Sequence, residues 1–287
     1  MGRHNAILVP QKISDNALYL AKNEKAYLSV IEQFIKRVPS VVALEKMLAD
    51  YDQIEIPTEH IFAGGVYIRQ ITIPKDAFLI GKRHRYKTCD IMLSGRMVLY
   101  NGHGKEPITV EAPIITESPK YKKKMGYAYS ETVWLNAFPT DKTDIDEIEK
   151  DIFITEDAFE DYEDFKNVIK LYGFTEEIVR SQTENKDDII DFDKNYGLRI
   201  DNSDREGKGL FTDRAILRGE YIAPSRIKDK RTPAGRYTNH SINPNALMVL
   251  DKDRINLIAS RDILENEEIT VNYRNSMEIL GVKPCQV

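Results

Sequence analysis

Cysteine is nearly absent: Cys89 and Cys285 are the only two in 287 residues, with no CxxC or CxxH spacing around either. That speaks against a disulfide framework and against a zinc-finger type of metal site, and it fits a reducing, cytoplasmic setting. Histidine is scarce too, five in all, with none between His103 and His240. No apolar run approaches the ~18 residues that cross a bilayer, and MGRHNAILVPQK at the start lacks the apolar core of a secretion signal. No membrane partner is therefore expected. The sequence shows no repeat of solenoid period and no low-complexity tract. A net charge of −5 lacks the basic excess of a general nucleic-acid binder, so none is expected as a partner. What is present, 41% hydrophobic and 30% charged residues, suffices to bury real cores, and the length suggests one large or two modest domains.

Charge is unevenly spread. Residues 1–140 carry 19 Lys+Arg against 14 Asp+Glu, residues 141–195 carry 7 against 19, and residues 196–287 carry 15 against 13. Apolar residues from Leu18 to Ile35 recur at spacings of three and four, which predicts an amphipathic helix from Asp15. Pro39 interrupts it, and a short second helix follows through Ala43, Leu44, Met47 and Leu48. From Ile61 to Phe138 short β-branched or aromatic runs (VYIRQITI, DIMLSGRMVLY, PITVEA, TVWLNAF) alternate with turn-forming PKD, NGHGK and SPKYKK. They predict an antiparallel sandwich or barrel. The acidic stretch 144–170 reads as helical, and a second β-rich region opens near Tyr196. The expected class is mainly β with helical additions (α+β). Its parts are an N-terminal helical segment (1–55), a β-barrel domain (56–140), an acidic helical connector (141–195) and a C-terminal β domain (196–287).

Residues 56–140 resemble the cupin-like proteins common in bacteriophage genomes. The resemblance rests on IPTEHIFAGGVYIRQITIP, GKRHRYKTCDIMLSGRMVL and MGYAYSETVWLNAFPTDKTDIDEIE. It implies a double-stranded β-helix barrel, a fold that often holds a divalent metal on closely spaced histidines. Here His84 stands with Lys82 and Thr88 where relatives carry further histidines. His84, Cys89 and Asp90 make a poor ligand set, so a degenerate barrel without metal is expected.

Three segments in fixed order, REGKGLFTDRAILRGEYI (205–222), RYTNHSINPN (236–245) and ILENEEITVNYR (263–274), together resemble the SET domain. That family comprises protein lysine methyltransferases that use S-adenosylmethionine. Each segment alone is weak; their order and spacing make the signal. The resemblance implies that the cofactor is held by Gly207, Lys208, Gly209 and Leu210 of GKGLF and by Arg236, Tyr237, Asn239 and His240 of the Asn-rich segment. It implies a catalytic role for Tyr273. Glycines suit a close backbone approach to a ligand, because a Cβ would block it. Alternation along EEITVNYR places Ile269, Val271 and Tyr273 on one face of a strand. Asn266 stands where Gly is usual and Asn272 where Asp is commoner, and the Cys-rich tail that often closes the lysine channel is missing.

The leading expectation is protein lysine methylation by a phage-type enzyme in the bacterial host cytoplasm, with a protein lysine as substrate. The alternative is a phage virion or host-interaction protein that keeps both domains as non-catalytic scaffolds. Association as a homo-oligomer or with virion components belongs to either reading.

Overall fold

The computed structural model describes residues 6–8, 40–49, 53–100, 106–192 and 194–285. The helix expected over 15–39 and the NGHGK turn lie outside the described residues. The chain is mainly β with helical additions, and it divides into two compact units, Met1–Ile154 and Thr155–Val287. No described helix is long and apolar enough to cross a membrane.

The first unit is two antiparallel sheets. One runs Ile114–Ser118, Thr88–Ser94, Thr132–Pro139, Val66–Ile73, Thr58–Ala63; the other runs Gln53–Ile54, Ala6–Leu8, Ala77–Ile80, Met125–Ala128, Arg96–Tyr100, Ile108–Glu111. Burial along VYIRQITI alternates as in a strand with one face on the core, with Tyr67, Arg69, Ile71 and Ile73 buried and their neighbours more open. Ile71, Ile73, Met92, Met97, Ala128 and Trp134 form part of the core cluster. The helix expected after Pro39 is present as α1 (Val41–Leu48), capped by Ser40, whose side chain accepts from the Ala43 N–H.

The acidic stretch is several elements rather than one. Helix α2 (Ile145–Ile152) opens on Asp144 as N-cap and belongs to the first unit, where its Ile148 and Ile152 pack with Tyr67 and Phe138. A short strand, Phe153–Ile154, pairs with Arg83–His84. Helices α3 (Glu156–Leu171) and α4 (Glu176–Glu184) belong to the second unit and are capped by Thr155 and Thr175.

The second unit contains two four-stranded sheets. One runs Lys230–Arg231, Tyr221–Ile227, Arg254–Ala259, Ala246–Asp251; the other runs Leu198–Asn202, Lys208–Thr212, Glu268–Val271, Asn239–His240. All pairings are antiparallel except the last, in which Asn239 and His240 lie parallel to Thr270 and Val271. A helical turn, α5 (Pro233–Tyr237), leads into that parallel pair, and α6 (Tyr273–Ile279) leaves it. Both sheets share one core built on Leu210, Ile222, Leu257, Ile263 and Ile269.

One expectation is corrected here. The strand of EEITVNYR ends at Val271, and all four of its residues are buried, so alternation does not choose a face. Tyr273 is instead the first residue of α6. Asn272 ends the strand with φ −88°, ψ 120°, and its side chain accepts from the Arg274 N–H. An Asn in that conformation is a helix N-cap, which is why the helix starts there.

Candidate active site

The site grows from the parallel pair. Because Asn239–His240 enters alongside Thr270–Val271, the Asn-rich segment and the start of α6 are brought together. Asn245 clamps the crossing. Its amide donates to the Glu268 carbonyl at 2.8 Å and its oxygen accepts from the Thr270 N–H at 2.8 Å. Ser241 N–H donates to Val271 O at 3.0 Å. A buried amide with both ends engaged fixes the register more firmly than a turn alone.

His240 is buried and bonded at both ring nitrogens. Its Nδ1 lies 3.1 Å from the backbone nitrogen of Tyr273, and its Nε2 lies 3.0 Å from Asp164 Oδ2. A backbone N–H only donates, so Nδ1 is the acceptor and carries no proton. The ring is therefore the neutral Nε2–H tautomer donating to Asp164. Burial pulls its pKa below the ordinary value, against the attraction of Asp164. Arg274 donates to both oxygens of the same carboxylate and, with His240, holds Asp164 below the usual range.

Tyr273 is half-buried, its ring edge-on to Phe165 and tilted against His240. Its hydroxyl donates to Thr238 O at 3.1 Å. Burial pushes the phenol up to about 12, so it stays protonated at neutral pH.

The two glycines of GKG do different work. Gly207 has φ +55°, and a Cβ there would meet nothing within 4 Å, so the glycine serves the left-handed turn. A Cβ on Gly209 would run into the Glu268 carboxylate, so this glycine makes room. Glu268 accepts from Asn239 Nδ2 at 2.8 Å, from Ser203 Oγ at 2.8 Å and from Arg205 at 3.0 Å. Asn239 Nδ2 also reaches the carbonyls of Glu206 and Lys208, each at 3.3 Å, which ties the Asn-rich segment to the glycine turn.

Of the residues singled out by sequence, Gly207, Gly209, Asn239, His240 and Tyr273 belong to this connected assembly. Lys208 points outward and bonds Asn202, while the Leu210 side chain is core. Arg236 stacks on the Tyr237 ring at 4.9 Å, and its buried Nε has no hydrogen-bond partner. Asn266 adopts φ +67°, and Asn is among the non-glycine residues that tolerate this region, so the Gly-to-Asn departure keeps the turn.

Sequence reasoning missed Asp161, Asp164, Arg205, Asn245 and Glu268. The two aspartates sat in a run read as an acidic helical connector, with no site role given to it. Yet Ala158, Asp161, Phe165 and Val168 fall at helical spacings of three and four, so Asp161 occupies a position on the apolar stripe. It is buried there, accepting from Arg205 at 2.8 Å and from the Ile242 N–H at 2.7 Å.

In the first unit, His84 packs between Phe138 and Phe153 and bonds Thr88 at 3.3 Å. Cys89 is exposed on the opposite face of its strand from the buried Asp90. Among the described residues, no three His, Cys, Asp or Glu side chains come together to hold a metal ion.

Over 97 residues the chain is 32% identical to a histone-lysine N-methyltransferase, H3 lysine-36 specific, of Schizosaccharomyces pombe. Over 94 residues it is 33% identical to the Aspergillus oryzae protein of the same description. These matches cover 32% and 31% of this chain but only 12% and 9% of the relatives, so the chain spans a small part of their length. Among solved structures, a cupin superfamily protein from Desulfitobacterium hafniense aligns over 33% of this chain and 86% of that one, at 12% identity and TM-score 0.26. An acetylacetone dioxygenase from Acinetobacter johnsonii aligns over 30% and 60%, also at 12% identity and TM-score 0.26. The SET domain family model matches residues 73–274, more than half of the sequence, and this chain belongs to the SET domain family.

Proposed function

We propose that this chain is an S-adenosylmethionine-dependent protein lysine methyltransferase of phage type, working in the cytoplasm of a bacterial host. The observation that carries the reading is the hydrogen-bonded assembly in which Asn239, His240 and Tyr273 meet the glycine turn. The relatives are named for lysine 36 of histone H3; for this chain we take from them only the substrate class, a lysine side chain of a protein.

The residues present suit the cofactor. Arg236 offers a buried Nε with no hydrogen-bond partner, suited to a carboxylate. Asn239 and Glu268 offer acceptors to a cation, and the space beside Gly207 is open. The cofactor, when bound, supplies an electrophilic methyl group on a positive sulfur. The chain's task is alignment and dehydration of the amine that receives it. Tyr273 cannot serve as a general base at neutral pH, because its phenol is pushed up to about 12. Its hydroxyl, held on Thr238 O, instead orients the incoming amine. The lysine must arrive neutral, from a reference pKa near 10.4, which removal from water beside positive charge favours.

Calorimetric titration of the full chain with S-adenosylmethionine tests the reading. Wild type is expected to bind, and Asn239→Ala to lose ~1–3 kcal/mol, the cost of stripping partners from buried polar groups. Absence of binding at millimolar cofactor would favour the non-catalytic scaffold. One observation supports that rival: Ile115 and Leu93 are 72% and 54% exposed on the first unit, and exposed apolar side chains of this kind suit contact with a second copy or a virion component.

A further inference from the structure

The first unit contains a small cavity of about 60 Å³ between its two sheets, open to solvent on one side. Three cationic residues line it, Arg69, Lys82 and Lys124, and no acidic residue does. Their carboxylate partners lie off the wall. Asp90, completely buried, is paired with Lys124, and Glu149 with Lys82 at 2.8 Å. The cations are held in place by aromatic rings of the same wall: Lys82 Nζ lies 4.8 Å from the Phe153 ring centre, and Lys124 Nζ lies 5.4 Å from that of Trp134. The remaining wall is largely aliphatic, from residues such as Ile71 and Leu99. A wall that is cationic at a few fixed points and apolar elsewhere matches the usual make-up of small-molecule sites.

The local potential agrees. His84, also on the wall, has its pKa pulled down to about 3, by burial first and then by the positive charges of Lys124 and Arg69. Burial also draws the Lys124 ammonium below its ordinary value despite Asp90. A group that relieves this potential must be anionic, and one that fills the aliphatic remainder must be apolar.

We propose that the cavity binds a small organic carboxylate, its charge set against Lys82, Lys124 and Arg69 and its apolar body against Trp134, Phe153 and the aliphatic wall. The site lies wholly within the first unit, and methyl-transfer activity does not enter its test.

Trp134 is the chain's only tryptophan, so its fluorescence reports on this cavity directly. The full chain is titrated with benzoate, with benzyl alcohol as a neutral analogue of similar size and with inorganic phosphate as an anion lacking an apolar body. Benzoate should change Trp134 emission saturably, with a Kd of roughly millimolar for so few atoms. Benzyl alcohol, which loses the charged contact, and phosphate, which loses the apolar one, should each bind at least about tenfold more weakly. Lys82→Gln, a change at a partly exposed side chain, should weaken benzoate about tenfold and leave benzyl alcohol unchanged. Saturation-transfer NMR on benzoate gives the same readings without the fluorophore. No saturable response to benzoate by either method overturns the proposal. So does equal binding of benzyl alcohol or phosphate, or wild-type benzoate affinity in folded Lys82→Gln.

Discussion

The Nε2 of His240 lies 3.0 Å from Oδ2 of Asp164, although the two residues are 76 positions apart. Through the opposite ring nitrogen, His240 holds the backbone of Tyr273. Helix α3 therefore fixes the site's histidine, and the histidine fixes where α6 begins. Asp164→Asn should destabilise the protein by about 1.5–3 kcal/mol, the range for a hydrogen bond to a charged group, because Arg274 loses its counter-charge in the same change. Chemical denaturation monitored on the full chain gives the number. A value indistinguishable from wild type would mean that Asp164 is merely adjacent.

Tyr273→Phe separates orientation from packing. The ring contacts with Phe165 and His240 survive, and only the hydroxyl on Thr238 O is lost. With wild type and variant matched for melting temperature, cofactor affinity should be nearly unchanged. Methyl transfer to acceptor proteins of a host lysate should fall on the order of 10²-fold, the cost of one preorganised polar group that acts mainly in the transition state. Equal turnover in the two proteins would remove Tyr273 from the chemistry.

Substitutions at the two glycines should lose stability to different extents. Gly207→Ala meets open space and bears only the strain of φ +55°, a cost of about 1 kcal/mol. Gly209→Ala must displace Glu268, and with it the bonds to Asn239, Ser203 and Arg205, so a loss of 1–3 kcal/mol or more is expected from overpacking and broken hydrogen bonds. Thermal unfolding of the two variants side by side decides the ranking. A larger loss at Gly207 would contradict the assignment of roles.

Much of the fold was legible because its signals are local. VYIRQITI is a strand from Val66 to Ile73, as its β-branched and aromatic run predicts, and a short helix follows Pro39 as expected. The Asn-rich segment was recognisable through its order and spacing with two others. What was hidden is what depends on partners far away in the chain. Nothing in EEITVNYR says that its all-buried strand stops at Val271, because the stop comes from Asn272 capping a helix and from His240 holding the next N–H. Asp161 and Asp164 were hidden differently. An acidic helix reads as solvated unless Arg205 and Arg274 are known to face it.

The first unit should lose stability on mild acidification, and His84 is the main cause. Its folded pKa is pulled to about 3, against an ordinary 6.5 in the unfolded chain. Below pH 6.5 the unfolded state therefore binds a proton that the folded state refuses, and stability falls as pH falls, until about pH 3. The slope approaches 1.4 kcal/mol per pH unit, on the order of 3–5 kcal/mol in all. His60, bonded to the Tyr67 hydroxyl at 2.7 Å, is also drawn down by burial and adds in the same direction. Between about pH 6.5 and 5 exposed carboxylates remain ionised, so this window isolates the histidines. Urea unfolding followed by Trp134 fluorescence at pH 7, 6 and 5 should show a falling midpoint in wild type. His84→Gln should be less stable at pH 7 but much flatter across the window, with His60 supplying the remaining slope. An unchanged slope in that variant would show that residue 84 exchanges protons alike in both states, and would return His84 to an ordinary histidine.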